Sequence, residues 1–383
     1  MNHEARTRKV HNPLIAITDI LAQAAQEVDV LSASGQSTID DGHPDAEERE
    51  DAILAAGEPV YDTLWEAPES GGTPPLYTPC PALSRDEDHL FRYFMDGSFR
   101  AYFLGTLLAQ QWDSPLTFGQ IGACVLRRRD DGSVERELMY SRQILAVAKH
   151  SNEFWEALQN RTTSTDILLV DIMDRDELSG DMQGDLREKA TGKVRWWMHL
   201  LEAQVIKECL TRLGDKCWLV ADGSLRFSPL QEMLSEGKQV APVLGVAKSF
   251  RRDVRFRYGR GPRAQNLTLY RLLAELPFAY RTAAFGALNG KVVFWYVRLR
   301  EQGQMEYPLM GVIKAEVINP TGKALPSALI DRLSRALVAE RSVTPHGLDR
   351  RWHAHLYPIF LAETAIKGSF YSAEVVRSAL LWR

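Results

Sequence analysis

The chain has 383 residues, enough for two or three domains or for one large one. Hydrophobic residues make up 45% and charged residues 25%, which excludes collagen-like, mucin-like and wholly disordered chains. Lys and Arg number 46 against 50 Asp and Glu, so a polyanion could be bound only by a local basic patch, not by the net charge of −4.

Four cysteines (Cys80, Cys124, Cys209, Cys217) form no C-x-x-C pair. That excludes a small disulfide scaffold and a thiolate zinc site, and fits a reducing cytoplasm. No apolar run reaches the ~18 residues of a membrane span. The N-terminus, MNHEARTRKVHNP, lacks the apolar core of a signal peptide.

In chain order, Pro13 to Asp29 reads as a short amphipathic helix. A polar, acidic stretch follows, in which Asp40, Asp41, Asp45, Glu47, Glu48, Glu50 and Asp51 face a single Arg49. Such a run is usually solvated and mobile. Prolines and glycines from Pro68 to Pro81 mark an irregular connector. Residues 1–88 therefore read as an extension, helical and partly disordered, that could serve as a partner-binding arm. The body is expected over 89–383.

HLFRYFMDGSFRAYFLGT, rich in aromatics, reads as a strand. GQIGACVLRRR and SVERELMYS continue an antiparallel meander through the Asp130-Asp131-Gly132 turn. Helices are expected at about 142–160 and 182–213 by their periodicity. CWLVADGSL is a buried strand ending on Asp222, followed by a short helix from Pro229 to Glu236. APVLGVAKSF is the next strand, then an Arg-rich loop and a helix at about 265–276. GKVVFWYVRL and MGVIKAEVI are two further strands, and helices at about 326–340 and 358–381 end the pattern. No phosphate-binding loop and no nucleophile elbow occurs.

Two Asp-Gly-Ser tripeptides, at Asp96 and Asp222, each follow an apolar strand segment. A carboxylate there is expensive unless hydrated, paired or metal-bound. A turn is the alternative for either one alone. On the helix KVRWWMHLLEAQVIKECLTRL the apolar stripe is Val194, Met198, Leu201, Val205 and Cys209. Glu202 borders that stripe and needs a partner; Arg195 or a metal would serve. The order of elements is a strand with Asp96, two antiparallel strands, a helix with Glu202 and a strand with Asp222. This is the order of an RNase H-like mixed sheet flanked by helices, an α/β fold. Clustered carboxylates of this kind suit Mg²⁺ or Mn²⁺, and two such ions can hydrolyse a phosphodiester.

With these motifs the chain resembles the NurA nuclease family from about residue 92 to its C-terminus. The resemblance is carried by FMDGSFRAYF, RWWMHLLEAQVI, WLVADGSL, VLGVAKSF, the pair VVFWYVRL and GVIKAEVI, and YPIFLAETAIKGSF. It implies a metal-dependent DNA nuclease, cytoplasmic and dimeric, with Asp96, Glu202 and Asp222 as ligands of Mn²⁺ or Mg²⁺. Lys248 would contact phosphate or the transition-state charge. It further implies a HerA-type hexameric ATPase as partner, in DNA end processing or anti-phage defence. The family has His after the Ala of its last motif; this chain has Glu363, which could ligate through oxygen, with His353 or His355 as alternatives. The departure also leaves open a subunit that binds DNA or the motor without cutting.

Arg251, Arg252, Arg255, Arg257, Arg260 and Arg263 lie within thirteen residues with Asp253 the one acid among them. They read as a DNA backbone track, with Phe250, Phe256 and Tyr258 placed to stack on bases. A solvated hairpin is the alternative. Arg127, Arg128 and Arg129 read as a solvated turn. Asp171, Asp174, Asp176, Glu177, Asp181 and Asp185 read as a solvated loop or helix N-terminus. His199 reads as a satisfied, partly buried side chain, Trp196 and Trp197 as core or dimer surface, and His89 and His346 as structural.

Overall fold

The computed structural model describes residues 13–33, 60–61, 64–84, 90–163, 165–174, 185–214, 216–237, 239–259, 264–303, 306–343 and 352–379. Before the meander come α1 (Pro13–Ala24), β1 (Asp29–Ser32), β2 (Val60–Tyr61), β3 (Glu66–Ala67) and β4 (Tyr77–Pro79). The meander is β5 (Phe91–Leu108), β6 (Asp113–Arg128) and β7 (Val134–Val147), followed by α2 (Asn152–Thr162) and β8 (Ile167–Asp171). Next are α3 (Leu186–Leu210), β9 (Trp218–Asp222), α4 (Ser228–Ser235), β10 (Val243–Ala247), β11 (Arg255–Tyr258), β12 (Gln265–Thr268) and α5 (Leu269–Ala274). The remainder is β13 (Tyr280–Thr282), β14 (Phe285–Ala287), β15 (Val292–Arg298), β16 (Val312–Ile318), β17 (Leu325–Pro326), α6 (Ser327–Glu340), α7 (Tyr357–Lys367) and α8 (Ala373–Ala379).

Twelve strands form one mixed sheet in the order β4-β13-β15-β16-β10-β9-β5-β6-β7-β8, with β1 also on β5 and β14 on β15. The expected α/β class with a large mixed sheet is what the chain forms. β9 runs parallel to both β5 and β10, whereas β5, β6 and β7 are antiparallel neighbours. β15 and β16 are buried along their whole length, as strands covered on both faces must be. One face carries α3 and α4, whose Val194, Met198, Leu201, Val205, Leu230 and Leu234 bury against Met95, Ile121 and Ala221. The opposite face carries α6 and the start of α7 on Phe94, Val220, Trp295 and Ala315. Asp185 caps α3 by accepting from the Arg187 amide at 3.2 Å, so the acidic segment does end in a helix N-terminus. Asp176, Glu177 and Asp181 lie outside the described residues.

Several expectations change. Residues 142–147 continue strand β7 instead of opening a helix, because ILAV is buried between β6 and β8. Residues 265–268 pair with β11 as β12 before the short α5 begins. The C-terminal helix is two helices, α7 and α8. The first 88 residues are not simply an arm, since β1 pairs with β5, β2 with β11, β3 with β17 and β4 with β13. Leu14, Ile17, Ile20 and Leu21 of α1 are buried against Tyr102, Leu116 and Phe118. Glu66 is fully buried and paired with Arg281 at 2.7 Å, which fixes that segment to the body. The acidic run from Asp40 to Asp51, His89 and His346 lie outside the described residues.

Candidate functional site

The register of β5 on β9 pairs Met95 with Ala221, which brings Asp96 level with Asp222 one residue further on. β9 in turn aligns Asp222 with Val246, two residues before Lys248. Lys248 Nζ donates to Asp222 Oδ2 at 2.7 Å. Glu202 arrives from α3 on the other side of β5. A Cβ at Gly97 would lie 2.0 Å from Glu202 Oε1 and 2.6 Å from its carboxyl carbon. Gly97 in mid-strand thus leaves the space of a side chain to the Glu202 carboxylate, and any larger residue would displace it. The first Asp-Gly is not a turn at all, whereas the second is, with Gly223 at φ +85°.

Asp96 is 5% exposed. Burial first, then the Asp222 carboxylate, push its carboxyl well above the usual range; Lys248 opposes them, and Glu363 and Glu202 add to the rise. Asp222, Lys248, Glu363 and Glu202, contributed by β9, the segment after β10, α7 and α3, thus each act electrostatically on Asp96 of β5. His353 and His355, the alternatives to Glu363, lie just before α7. His353 Nδ1 accepts from the Gly311 amide at 3.0 Å, and His355 is buried at 2% exposure. Glu363 also pairs with Lys367 at 2.6 Å along its helix. Glu202 pairs with His199, Nδ1 to Oε2 at 2.6 Å, while the Arg195 guanidinium stands 5.2 Å from the Phe99 ring.

Behind the site lies a group the sequence reading missed. Glu316 on β16 is fully buried and meets Lys314 Nζ at 3.0 Å and Arg226 Nε at 3.2 Å. It accepts from Ser224 Oγ at 2.7 Å and from the Leu225 amide at 3.0 Å, anchoring the turn that follows Asp222. That turn packs onto β10 where Gly245 leaves room, since a Cβ there would meet Leu225 at 2.6 Å. Burial alone would raise the Glu316 carboxyl; Lys314 and Arg226, helped by Ser224, outweigh it and hold the carboxyl below the usual range, at about 2. A signal was present in MGVIKAEVI: opposite charges at i and i+2 of a buried strand share a face and can pair.

The basic loop is only partly as expected. Arg255 and Arg257 are exposed on β11, Arg251 pairs with Asp253 at 2.8 Å, and the Arg252 guanidinium lies 6.0 Å from the Tyr307 ring. Arg260 and Arg263 lie outside the described residues. Phe250 and Phe256 cannot stack on bases, being buried with Tyr61, Phe285 and Phe294, and Tyr258 donates to the Pro74 carbonyl at 2.7 Å. Arg128 is not solvated either; it makes a two-pronged pair with Glu340 and stands 4.8 Å from the Phe94 ring. Trp196 and Trp197 pack against the core.

The donor set at Asp96 is entirely oxygen and crowded with like charge, which is the chemistry a hard divalent cation relieves. By kind the residues fit Mg²⁺ or Mn²⁺. Among the described residues, however, no three Asp, Glu, His or Cys side chains are gathered closely enough to hold an ion as they stand. Two of the carboxylates are instead engaged by Lys248 and His199. Among the described residues no helix is long and apolar enough to cross a membrane. No family model and no curated protein matches the chain, so the likeness to NurA nucleases rests on its motifs.

Proposed function

We propose that the chain is a divalent-metal-dependent DNA nuclease with an RNase H-like core. The observation that carries this reading is the alignment of the buried Asp96 beside Asp222 on neighbouring strands, with Lys248 Nζ on Asp222 at 2.7 Å and the Glu202 carboxylate against Gly97. Burial of Asp96 beside the Asp222 carboxylate is a destabilising arrangement that Lys248 only partly offsets, and such conflict is a mark of functional sites. Asp96, Glu202 and Asp222 would hold Mn²⁺ or Mg²⁺, and the ion would supply an activated water and charge stabilisation at the leaving oxygen. Lys248 would turn from Asp222 to a phosphate oxygen, and the exposed Arg255 and Arg257 would hold the backbone through salt-sensitive contacts. Glu316 would fix the strand end from which Asp222 projects. A HerA-type ATPase partner and a homodimer rest on the motif resemblance alone.

The test is cleavage of end-labelled single- and double-stranded DNA with Mn²⁺, Mg²⁺ or EDTA, with and without a HerA-type ATPase. Metal-dependent degradation is expected, falling by about 10³-fold or more in Asp222→Asn. A second reading, a subunit that binds DNA or the motor without cutting, is favoured by the Lys248–Asp222 and His199–Glu202 pairs, which engage two of the three proposed ligands. Intact DNA binding with no degradation under any of these conditions would select it.

A further inference from the structure

With Phe250 and Phe256 in the core, the basic region keeps an aromatic pair at its surface. Tyr270 on α5 and Tyr307, in the loop from β15 to β16, are 40% and 49% exposed. They come from segments 37 residues apart, share a hydroxyl–hydroxyl hydrogen bond of 3.0 Å, and set their rings edge to face at 6.5 Å and 82°. The buried Leu269, Leu272 and Leu273 of α5 point inward and leave Tyr270 outward. Arg252 lies 6.0 Å from the Tyr307 ring.

Charge at this place is lopsided. From Lys248 to Glu275 the sequence carries eight Lys and Arg against two acids, Asp253 and Glu275. Arg252 is four residues beyond Lys248, so its backbone is at most about 14 Å from the backbone of the lysine that touches Asp222. The aromatic pair is thus linked through Arg252 to the segment that carries Lys248. A tyrosine has only two side-chain torsions, and the mutual hydroxyl bond restrains both rings further, so holding a base against them forfeits little entropy.

We propose that Tyr270 and Tyr307, with Arg252, form a stacking platform for the bases of single-stranded DNA beside the carboxylate site. The platform deepens the nuclease reading and rests on it for the identity of the polymer. Duplex DNA hides its base faces, whereas a single strand offers them in sequence-independent fashion, and each stacked base strengthens binding substantially. Arginine beside a ring adds attraction to both the base and the phosphate.

Binding is measured by fluorescence anisotropy with the full chain in EDTA, so that no cleavage occurs. The probes are a fluorescein-labelled oligo(dT) 20-mer and an abasic strand of the same length, which keeps the phosphates and removes the bases. The expected result is tighter binding of oligo(dT) than of the abasic strand. In Tyr270→Ala/Tyr307→Ala, oligo(dT) affinity should fall at least about fivefold while abasic-strand affinity stays constant. Tyr270→Phe/Tyr307→Phe keeps both rings and loses only their mutual hydroxyl bond, so it should bind oligo(dT) more weakly than the wild type but more tightly than the alanine variant. Unchanged oligo(dT) binding in the alanine variant, an equal loss on both strands, or no binding of either strand overturns the proposal. The cleavage assay fails independently. Ring-dependent binding without cleavage leaves the platform standing and sinks the nuclease, and cleavage with ring-independent binding does the reverse.

Discussion

Two buried carboxylates sit on either side of the same strand end and have opposite fates. Asp96 shares its surroundings with three other acids and one lysine, and its carboxyl is driven up by burial and by those acids. Glu316, behind the turn that follows Asp222, has two cations, a hydroxyl and an amide around it, and its carboxyl is held down. Burial disfavours charge in both places. What differs is compensation. The Glu316 charge is compensated by cations of its own chain and belongs to the scaffold; Asp96 is left in conflict, and a fold retains such conflict where chemistry needs it.

The largest expected effect falls on the satisfied side. Glu316→Gln keeps an acceptor for Ser224 and leaves Arg226 and Lys314 buried without their counter-charge, so urea unfolding should show a loss of about 3–5 kcal/mol. The pH dependence has a definite sign. Glu316 ordinarily titrates at 4.5 and in the fold at about 2. Its contribution is therefore complete above pH 4.5 and vanishes as pH falls through about 2. The stability gap between wild type and Glu316→Gln should stay constant above pH 4.5 and close toward pH 2. A gap that does not move with pH would mean that Glu316 is not held ionised by its neighbours.

A smaller loss is expected on the other side of β5. Gly97→Ala places a methyl 2.0 Å from Glu202 Oε1. A flexible side-chain end can swing away, so the fold should survive with a loss of about 1–3 kcal/mol. The displaced carboxylate also leaves His199, and cleavage should fall by about 10²-fold or more, the penalty of an ångström-scale misplacement. Full activity in this variant would remove Glu202 from the site and reduce the convergence on Asp96 to three partners.

The strand–strand–strand, helix, strand order was legible because most elements announce themselves by period and by the residue that ends them; the exception is β8, a five-residue strand between α2 and α3 that the reading did not contain. The three carboxylates were legible for the same reason, as acids out of place in apolar runs. The ILAV segment was not, since a short apolar run suits a buried strand or a helix equally. Nor was the docking of residues before 88, which depends on two- to four-residue strands too short to show a period. Glu316 was passed over because Ser224, Leu225 and Arg226 lie in one segment about 90 residues away, and only Lys314 is near in sequence. Phe256 was misjudged because RFRY alternates: the two arginines are outside and the aromatic between them is inside, as strand geometry requires.

The smallest expected change is the one that decides the contrast, because its sign is opposite. Asp96→Asn removes the charge that burial and the Asp222 carboxylate oppose most, and keeps the shape and hydrogen-bonding capacity of the side chain. If the site is in conflict, the variant should be more stable than wild type by about 0.5–1.5 kcal/mol at neutral pH in EDTA, while cleavage is abolished. The gain comes from an acid whose folded-state pKa is raised, so it is present where that acid must ionise and disappears as pH falls below the ordinary carboxylate range. Glu316→Gln and Asp96→Asn would then shift stability in opposite directions at neutral pH, and both differences would shrink in acid. A loss of 2 kcal/mol or more in Asp96→Asn would instead mean that Lys248 holds Asp96 as firmly as Lys314 holds Glu316. The two carboxylates would then both belong to the scaffold, and the case for catalysis at Asp96 would fall with the contrast.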